Sequence, residues 1–165
     1  PEGYYEIPLG VPDVKRVGSD ITILTIGATL YKALEAAKIL EEKYHVSAEV
    51  IDARSIVPFD YTLVVESVKK TGRILLASDA CARGSILNDF ARNVSELCFD
   101  YLDAPAVVVG ARNWITPPSE FDDQFFPQAD WIIDAIHEKI LPLADHLGKH
   151  DNSDAETIRR AKKGV

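Results

Sequence analysis

Val46-Ser-Ala-Glu-Val-Ile-Asp-Ala-Arg-Ser-Ile-Val-Pro-Phe-Asp60 is the stretch whose reading decides the fold. Its first six residues, Val46 to Ile51, read as a buried parallel strand. Pro58 pushes the residue before it out of the helical region. Asp60 is then a natural N-cap for a helix over Tyr61 to Thr71. The charged pair Asp52 and Arg54 is left at the carboxyl end of the strand. In open α/β sheets that edge is where ligands and partners dock.

The same alternation extends in both directions. Ile21 to Ile26, Ile74 to Ser78 and Ala106 to Val109 are short, apolar and mostly β-branched, as strands covered on both faces are. Asp13 to Val17 alternates with polar residues and suits a sheet edge. Leu30, Ala33, Leu34, Ala37 and Leu40 mark one buried helical stripe, and Leu87, Phe90, Ala91, Val94 and Leu97 another. Asp130 is placed to cap a last helix carrying Ile132, Ile133, Ile136 and Ile140, ended by Pro142. Strands alternating with helices predict a three-layer α/β/α domain over residues 1–145. Residues 146–165 read as a polar linker followed by a short helix. Ser153 and Glu156 form a capping box, Arg159, Arg160, Lys162 and Lys163 lie near the end, and Gly164 is the stop. Ala155, Ile158 and Ala161 give that helix little apolar face, so it needs a surface to lie on.

Charge bounds the partners. The chain has 165 residues and a net charge of −8, while its last twenty residues are +2. An acidic surface disfavours nucleic acid and favours a basic protein partner. Residues 113–138 hold six acids (Glu120, Asp122, Asp123, Asp130, Asp134, Glu138) and no Lys or Arg. That stretch is either a solvated face or a docking patch. Four aromatic residues, Trp114, Phe121, Phe125 and Phe126, fall in the same loop region, too many for solvent, and predict self-association. No run of apolar residues is long enough to span a membrane, and no secretory leader is expected. Two cysteines without metal-ligand spacing fit a reduced, cytoplasmic setting. A start at Pro1 and the lack of any Met suggest a piece of a longer protein.

Residues able to carry chemistry gather after the strands: Asp52 and Arg54, then Asp79, Cys81 and Arg83, then Arg112, Asn113 and Trp114. Three arginines at three strand ends can bind a small anion bidentately. Each can equally pair internally, with Asp52 or Asp79 as partners, or across a subunit interface. Cys81, with Arg83 two residues on, is a weak candidate nucleophile, and Cys98 lies on a core face. His146 and His150 have the i, i+4 spacing of a helical metal pair, but no helix and no acidic third ligand are expected there, so no metal site is assigned. His45 and His137 read as surface residues. Gly27-Ala-Thr and Gly84-Ser-Ile lack the further glycines of a phosphate cradle.

The ordered set (Gly18 to Gly27, the helix with Lys32-Ala-Leu-Glu-Ala-Ala37, Val46 to Asp60, and Phe99-Asp-Tyr-Leu-Asp-Ala-Pro105) resembles the C-terminal domain of the transketolase-like thiamine-diphosphate superfamily. It is most similar to the beta-type part of the decarboxylating first component of 2-oxo acid dehydrogenases. The stretch Asn113-Trp-Ile-Thr-Pro-Pro-Ser-Glu-Phe-Asp-Asp-Gln-Phe-Phe-Pro-Gln128 resembles the loop of its branched-chain and acetoin-type members. The resemblance spans about Tyr4 to Leu143. It implies a five-stranded, mixed, mostly parallel sheet whose first strand is antiparallel at or near the edge. It implies thiamine diphosphate and Mg in the whole enzyme, held by other domains, and none bound by this domain alone. Partners implied are the other domains or subunits of the same enzyme and a lipoyl acyltransferase core, with a homo-oligomer expected. The whole enzyme would be an oxidoreductase; the isolated domain would be inactive. Asp79 and Asp89 stand where the family usually has Glu, and Ser85 where a second glycine is common, so family salt bridges do not carry over securely. The alternatives are a non-catalytic anion-binding or regulatory α/β module, the C-terminal domain of another transketolase-like enzyme, or a stand-alone enzyme using Cys81.

Overall fold

The computed structural model describes residues 2–151 and 153–163. Five strands form one sheet: β1 (Asp13–Arg16), β2 (Ile21–Ile26), β3 (Ala48–Asp52), β4 (Ile74–Cys81) and β5 (Val107–Ala111). The helices are α1 (Thr29–Tyr44), α2 (Thr62–Thr71), α3 (Ile86–Leu97), the single turn α4 (Asp122–Phe125), α5 (Ala129–Lys139) and α6 (Asp154–Lys163). The strand order is β1-β3-β2-β4-β5. β1 is antiparallel to β3, and the other neighbours are parallel. The expected mixed sheet with an antiparallel edge strand is therefore present.

Two-residue periodicity divides the core. Ile21, Ile23, Val50, Leu75, Ala77, Val107 and Val109 face α1 and α5, where Ala33, Ala36, Ala37, Leu40, Ile132 and Ile136 meet them. Leu24, Ile51, Ile74 and Leu76 face α2 and α3, against Val64, Val68, Leu87, Phe90 and Val94. Two of the buried polar strand residues, Thr22 and Glu49, are partnered by side chains of α2. Thr22 Oγ1 is 2.6 Å from Ser67 Oγ and 2.8 Å from Thr71 Oγ1. Glu49 lies 5% exposed inside β3 and takes the Gly18 N–H and the Lys70 ammonium. Burial pushes the Glu49 carboxyl up, but those donors outweigh it and hold it below its ordinary value. Gly18 is required here: a Cβ on it would sit 2.2 Å from the Ala48 carbonyl carbon.

Several boundaries differ from the sequence reading. β3 starts at Ala48 rather than Val46, because Val46 spends its N–H on the Leu40 carbonyl closing α1. β4 runs three residues past Ser78, with a register shift against β5 between Ala77 and Cys81. Asp60 does accept the Thr62 N–H at 2.9 Å, one residue before the helix boundary. Leu97, placed on the buried stripe of α3, is 52% exposed, and Cys98 takes the core position instead. Asp130 does not cap α5. The helix follows Gln128 without a side-chain cap, and Asp130 instead lies 3.6 Å from the Lys149 ammonium.

Candidate functional site at the carboxyl edge

The strands deliver their following loops to one edge, but the strand order splits the three arginines. β2 lies between β3 and β4, so Arg54 falls on the β1 side, where it pairs with Asp13. Its backbone has φ 59°, and its N–H is donated to Asp52 Oδ1 at 3.1 Å. The Arg54 guanidinium is thus paired internally with Asp13, while the Asp52 carboxylate takes only the Arg54 backbone N–H. Arg83 and Arg112 come together in a cleft of about 490 Å³ beside β5, closed on its far side by Glu156, Arg159 and Arg160 of α6. The Arg83 N–H reaches Asn113 Oδ1 at 3.3 Å, joining the two loops. Asp79 does not neutralise either arginine. It is exposed, with its carboxylate facing the Gly27 turn, and like Asp89 it makes no ion pair among the described residues.

Arg112 is the unusual side chain. Its guanidinium lies 4.0 Å from the centroid of Trp131 and 6.0 Å from that of Trp114. Its Nε is buried and has no hydrogen-bond partner. Burial, and then repulsion from Arg160, lowers its pKa from the ordinary value. Gly110 sets its position. A Cβ there would lie 2.7 Å from the Ala80 oxygen and the Ala82 nitrogen, so only glycine lets β5 approach the end of β4. The Cys81 thiol donates to the Arg112 carbonyl at 3.5 Å. Cys98 is buried in the core, and burial raises its thiol pKa, offset in part by Lys69.

A second cluster was not foreseen. Asp134, counted with the acidic face, is 2% exposed. Its Oδ1 is 2.7 Å from His146 Nε2, and its Oδ2 is 2.8 Å from His150 Nδ1. The backbone N–H groups of Lys149 and His150 donate to Oδ2 at 2.9 and 3.0 Å. His146 Nδ1 lies 2.6 Å from the Tyr44 hydroxyl, which ties the segment to α1. Burial pushes the Asp134 carboxyl up, but the donors, His146 foremost, outweigh it and hold it low. Residues 146–150, expected as a linker, are thus fastened to the core. His137, expected at the surface, accepts the Leu143 N–H at 2.8 Å and packs edge-on against His146. Among the described residues no group of three His, Cys, Asp or Glu side chains is arranged to hold a metal.

The aromatic loop is also reordered. Phe125 is 2% exposed and packs against Phe126 and Trp114, so it is withdrawn from any partner surface. Trp114 and Phe121 stay about half exposed, and Glu120, Asp122 and Asp123 are exposed. In α6, Ser153 Oγ accepts the Glu156 N–H at 3.2 Å, half of the expected capping box. The other half is replaced. The Ser153 N–H goes to Asp151, and the Glu156 carboxylate turns to Arg159 and Arg160. Ile158 is 68% exposed, and Lys139 Nζ bonds Thr157 Oγ1 at 3.2 Å. The stop assigned to Gly164 lies outside the described residues.

With this geometry in hand, comparison settles the family. Residues 10–132 match the model of the transketolase C-terminal domain. The chain belongs to the transketolase C-terminal domain family. It is 40% identical over 139 residues to the beta subunit of acetoin:2,6-dichlorophenolindophenol oxidoreductase of Bacillus subtilis (strain 168), covering 84% of this chain and 40% of that protein. It is 44% identical over 105 residues to the mitochondrial 2-oxoisovalerate dehydrogenase subunit beta of Dictyostelium discoideum, covering 64% of this chain and 28% of that protein. It is 36% identical over 127 residues to the pyruvate dehydrogenase E1 component subunit beta of Bacillus subtilis (strain 168), covering 77% and 39%. Among solved structures, a split-gene transketolase described as an inactive beta4 tetramer superposes with a TM-score of 0.66 at 28% identity, covering 81% of this chain and 42% of the other. The transketolase C-terminal domain family therefore accounts for most of the chain, which spans about 40% or less of the length of these curated relatives. The family match ends at residue 132, so Asp134, both histidines and α6 lie beyond it. The residues present do not suit a diphosphate with its metal. Among the described residues the basic cleft is lined by one carboxylate, Glu156, already engaged by two arginines.

Proposed function

We propose that this chain is the C-terminal assembly domain of a thiamine-diphosphate-dependent 2-oxo acid dehydrogenase first component. The whole enzyme would decarboxylate a 2-oxo acid oxidatively and transfer the acyl group to a lipoyl carrier, with the cofactor and Mg held by domains outside this chain. The cofactor supplies the carbanion chemistry, and protein domains position it. This domain supplies subunit and complex contacts. One observation carries the reading. At the carboxyl edge, Tyr31, Ile56, Val57, Trp114 and Ile115 are exposed together with the strand-end loops, Val57 at 84% and Ile115 at 94%. Exposed apolar residues in several loops of one sheet edge suit an interaction surface. Its occupant is the rest of the same enzyme, because relatives carry more than half of their length outside the matched region. The folded unit extends to His150 rather than residue 145, since Asp134 holds His146 and His150. No helix among the described residues is long and apolar enough to cross a membrane.

Two measurements test this. Calorimetric titration of the 165-residue chain with thiamine diphosphate and Mg²⁺ gives no Mg²⁺-dependent binding, while the assembled enzyme binds. Micromolar, Mg²⁺-dependent binding to the chain alone overturns the reading. Docking of the acyltransferase core at Glu120, Asp122 and Asp123 predicts an on-rate that falls with salt, as the Debye length shrinks from about 10 Å at 0.1 M to about 3 Å at 1 M. Replacing Asp122 and Asp123 by Asn slows association in the full first component. On-rates indifferent to both changes leave the stretch a solvated face.

A further inference from the structure

The cleft between β5 and α6 shares only Trp114 with the proposed assembly surface, and it is built as a site. Among the described residues five cations line it (Arg83, Arg112, Lys139, Arg159 and Arg160), against one carboxylate, Glu156. This is the reverse of a chain whose net charge is −8. Glu156 is spent: hydrogen bonds from Arg159 and then Arg160 hold it down at about 2, so it stays ionised and neutralises only part of that pair. Arg83 and Arg112 have no ion-pair partner among the described residues. Arg112 is half buried, with an orphaned buried Nε. Desolvating a guanidinium without a counterion is costly, so a folded chain that keeps one has a reason outside its own side chains.

We infer that this cleft binds a small organic phosphomonoester, with Arg112 and Arg83 on the phosphoryl group and the apolar body against Trp114 and the β5 wall. The charge selects the head group. A monocarboxylate offsets one cation, whereas a phosphomonoester carries about −1.5 to −2 near pH 7. Arginine forks match its oxygens in pairs. The size and lining select the body. About 490 Å³ lies in the range of small-molecule sites and exceeds what a bare phosphate fills, and Val107, Val109, Trp131 and Ala135 make the walls apolar. Trp114, about half exposed, leaves indole surface open to a ring.

The test is calorimetric titration of the full chain with phenyl phosphate, inorganic phosphate and benzoate, followed in parallel by tryptophan fluorescence. Phenyl phosphate is expected to bind saturably, roughly tenfold tighter than either comparison compound. Equal affinity for benzoate overturns the dianion, equal affinity for inorganic phosphate overturns the apolar body, and no saturation below roughly 10 mM overturns the site. Arg112→Met is expected to weaken phenyl phosphate at least about tenfold. Arg83→Met, on an exposed side chain where folding is not at stake, is expected to weaken it severalfold. Unchanged affinity in Arg83→Met, and in Arg112→Met where circular dichroism shows it folded, places the ligand elsewhere and overturns the proposal.

Discussion

Asp134, on helix α5, and Arg112, stacked on Trp131 of the same helix, have opposite surroundings. Asp134 is almost fully buried and receives two imidazoles and two backbone N–H groups. Arg112 is half buried, stacked on Trp131, with no carboxylate and an unpartnered Nε. A buried charge whose lone pairs are filled works as a rivet, here fixing residues 146–150 to α5. A half-buried charge left without a counterion adds little to the fold, because its stacking on Trp131 does no more than offset its desolvation, and it stays open to an anion. The difference teaches where to look for stability and where for ligands within one small region.

The comparison breaks first if Asp134 is not a rivet. Asp134→Ala removes an acceptor of four hydrogen bonds and leaves two backbone donors facing a void. The expected loss is about 3 kcal/mol. For a chain of this size that lowers Tm by roughly 6 to 12 °C. Urea unfolding of the full chain checks it, and a loss below about 1 kcal/mol would show that the histidine segment is held by other contacts.

Next in size is Gly110, which aims Arg112. A Cβ there meets only backbone atoms of Ala80 and Ala82, which cannot swing aside as a side-chain tip does. Gly110→Ala should cost about 2 kcal/mol by overpacking. It should also move the Arg112 guanidinium off Trp131, seen as a change in tryptophan emission. Wild-type stability and emission together would mean that the end of β4 is slack.

These two positions differ in how far the sequence revealed them. Strand β2 was legible to the residue, because Ile21 to Ile26 is apolar on both faces and bounded by polar residues. The family frame was legible through an ordered set of motifs. Arg83 and Arg112 were named, since a charged residue just after a buried strand has few other reasons to be there. Their separation from Arg54 was not legible: it depends on β2 lying between β3 and β4, and strand order leaves no trace in periodicity. Asp134 was misread as surface because acids usually are. The signal was present. Trp131 to Ile136 is apolar on every side of a helix except at Asp134, the mark of a helix covered all round. An acid there needs donors, and His146 and His150 follow closely. Counting acids in a window hid the one that differed.

The pH dependence sharpens the rivet further. Burial raises the Asp134 carboxyl and its donors lower it more, so its folded value sits below the unfolded one. A depressed carboxyl contributes stability above the unfolded value, about 4, and loses it as pH falls through the folded value. The stability gap between wild type and Asp134→Asn should therefore be full at pH 7 and shrink below about pH 4. Urea midpoints for both proteins across that range decide it, and a gap constant with pH would mean that the ionised form has no special place.

The smallest expected effect is the other half of the comparison. Arg112→Met keeps the stem and its packing on Trp131 while removing a guanidinium that lacks a counterion. It loses a cation–π contact of about 1 kcal/mol. It regains a desolvation cost of the same order. The two nearly cancel, so stability should change by less than about 1 kcal/mol, several times less than at Asp134. Added phosphomonoester then separates the two proteins. A ligand that binds only the native state raises its stability by RT ln(1 + [L]/Kd), so saturating phenyl phosphate should raise the wild-type Tm and leave that of Arg112→Met almost still. A large loss of stability in Arg112→Met without ligand would make Arg112 structural after all, and the contrast with Asp134 would vanish.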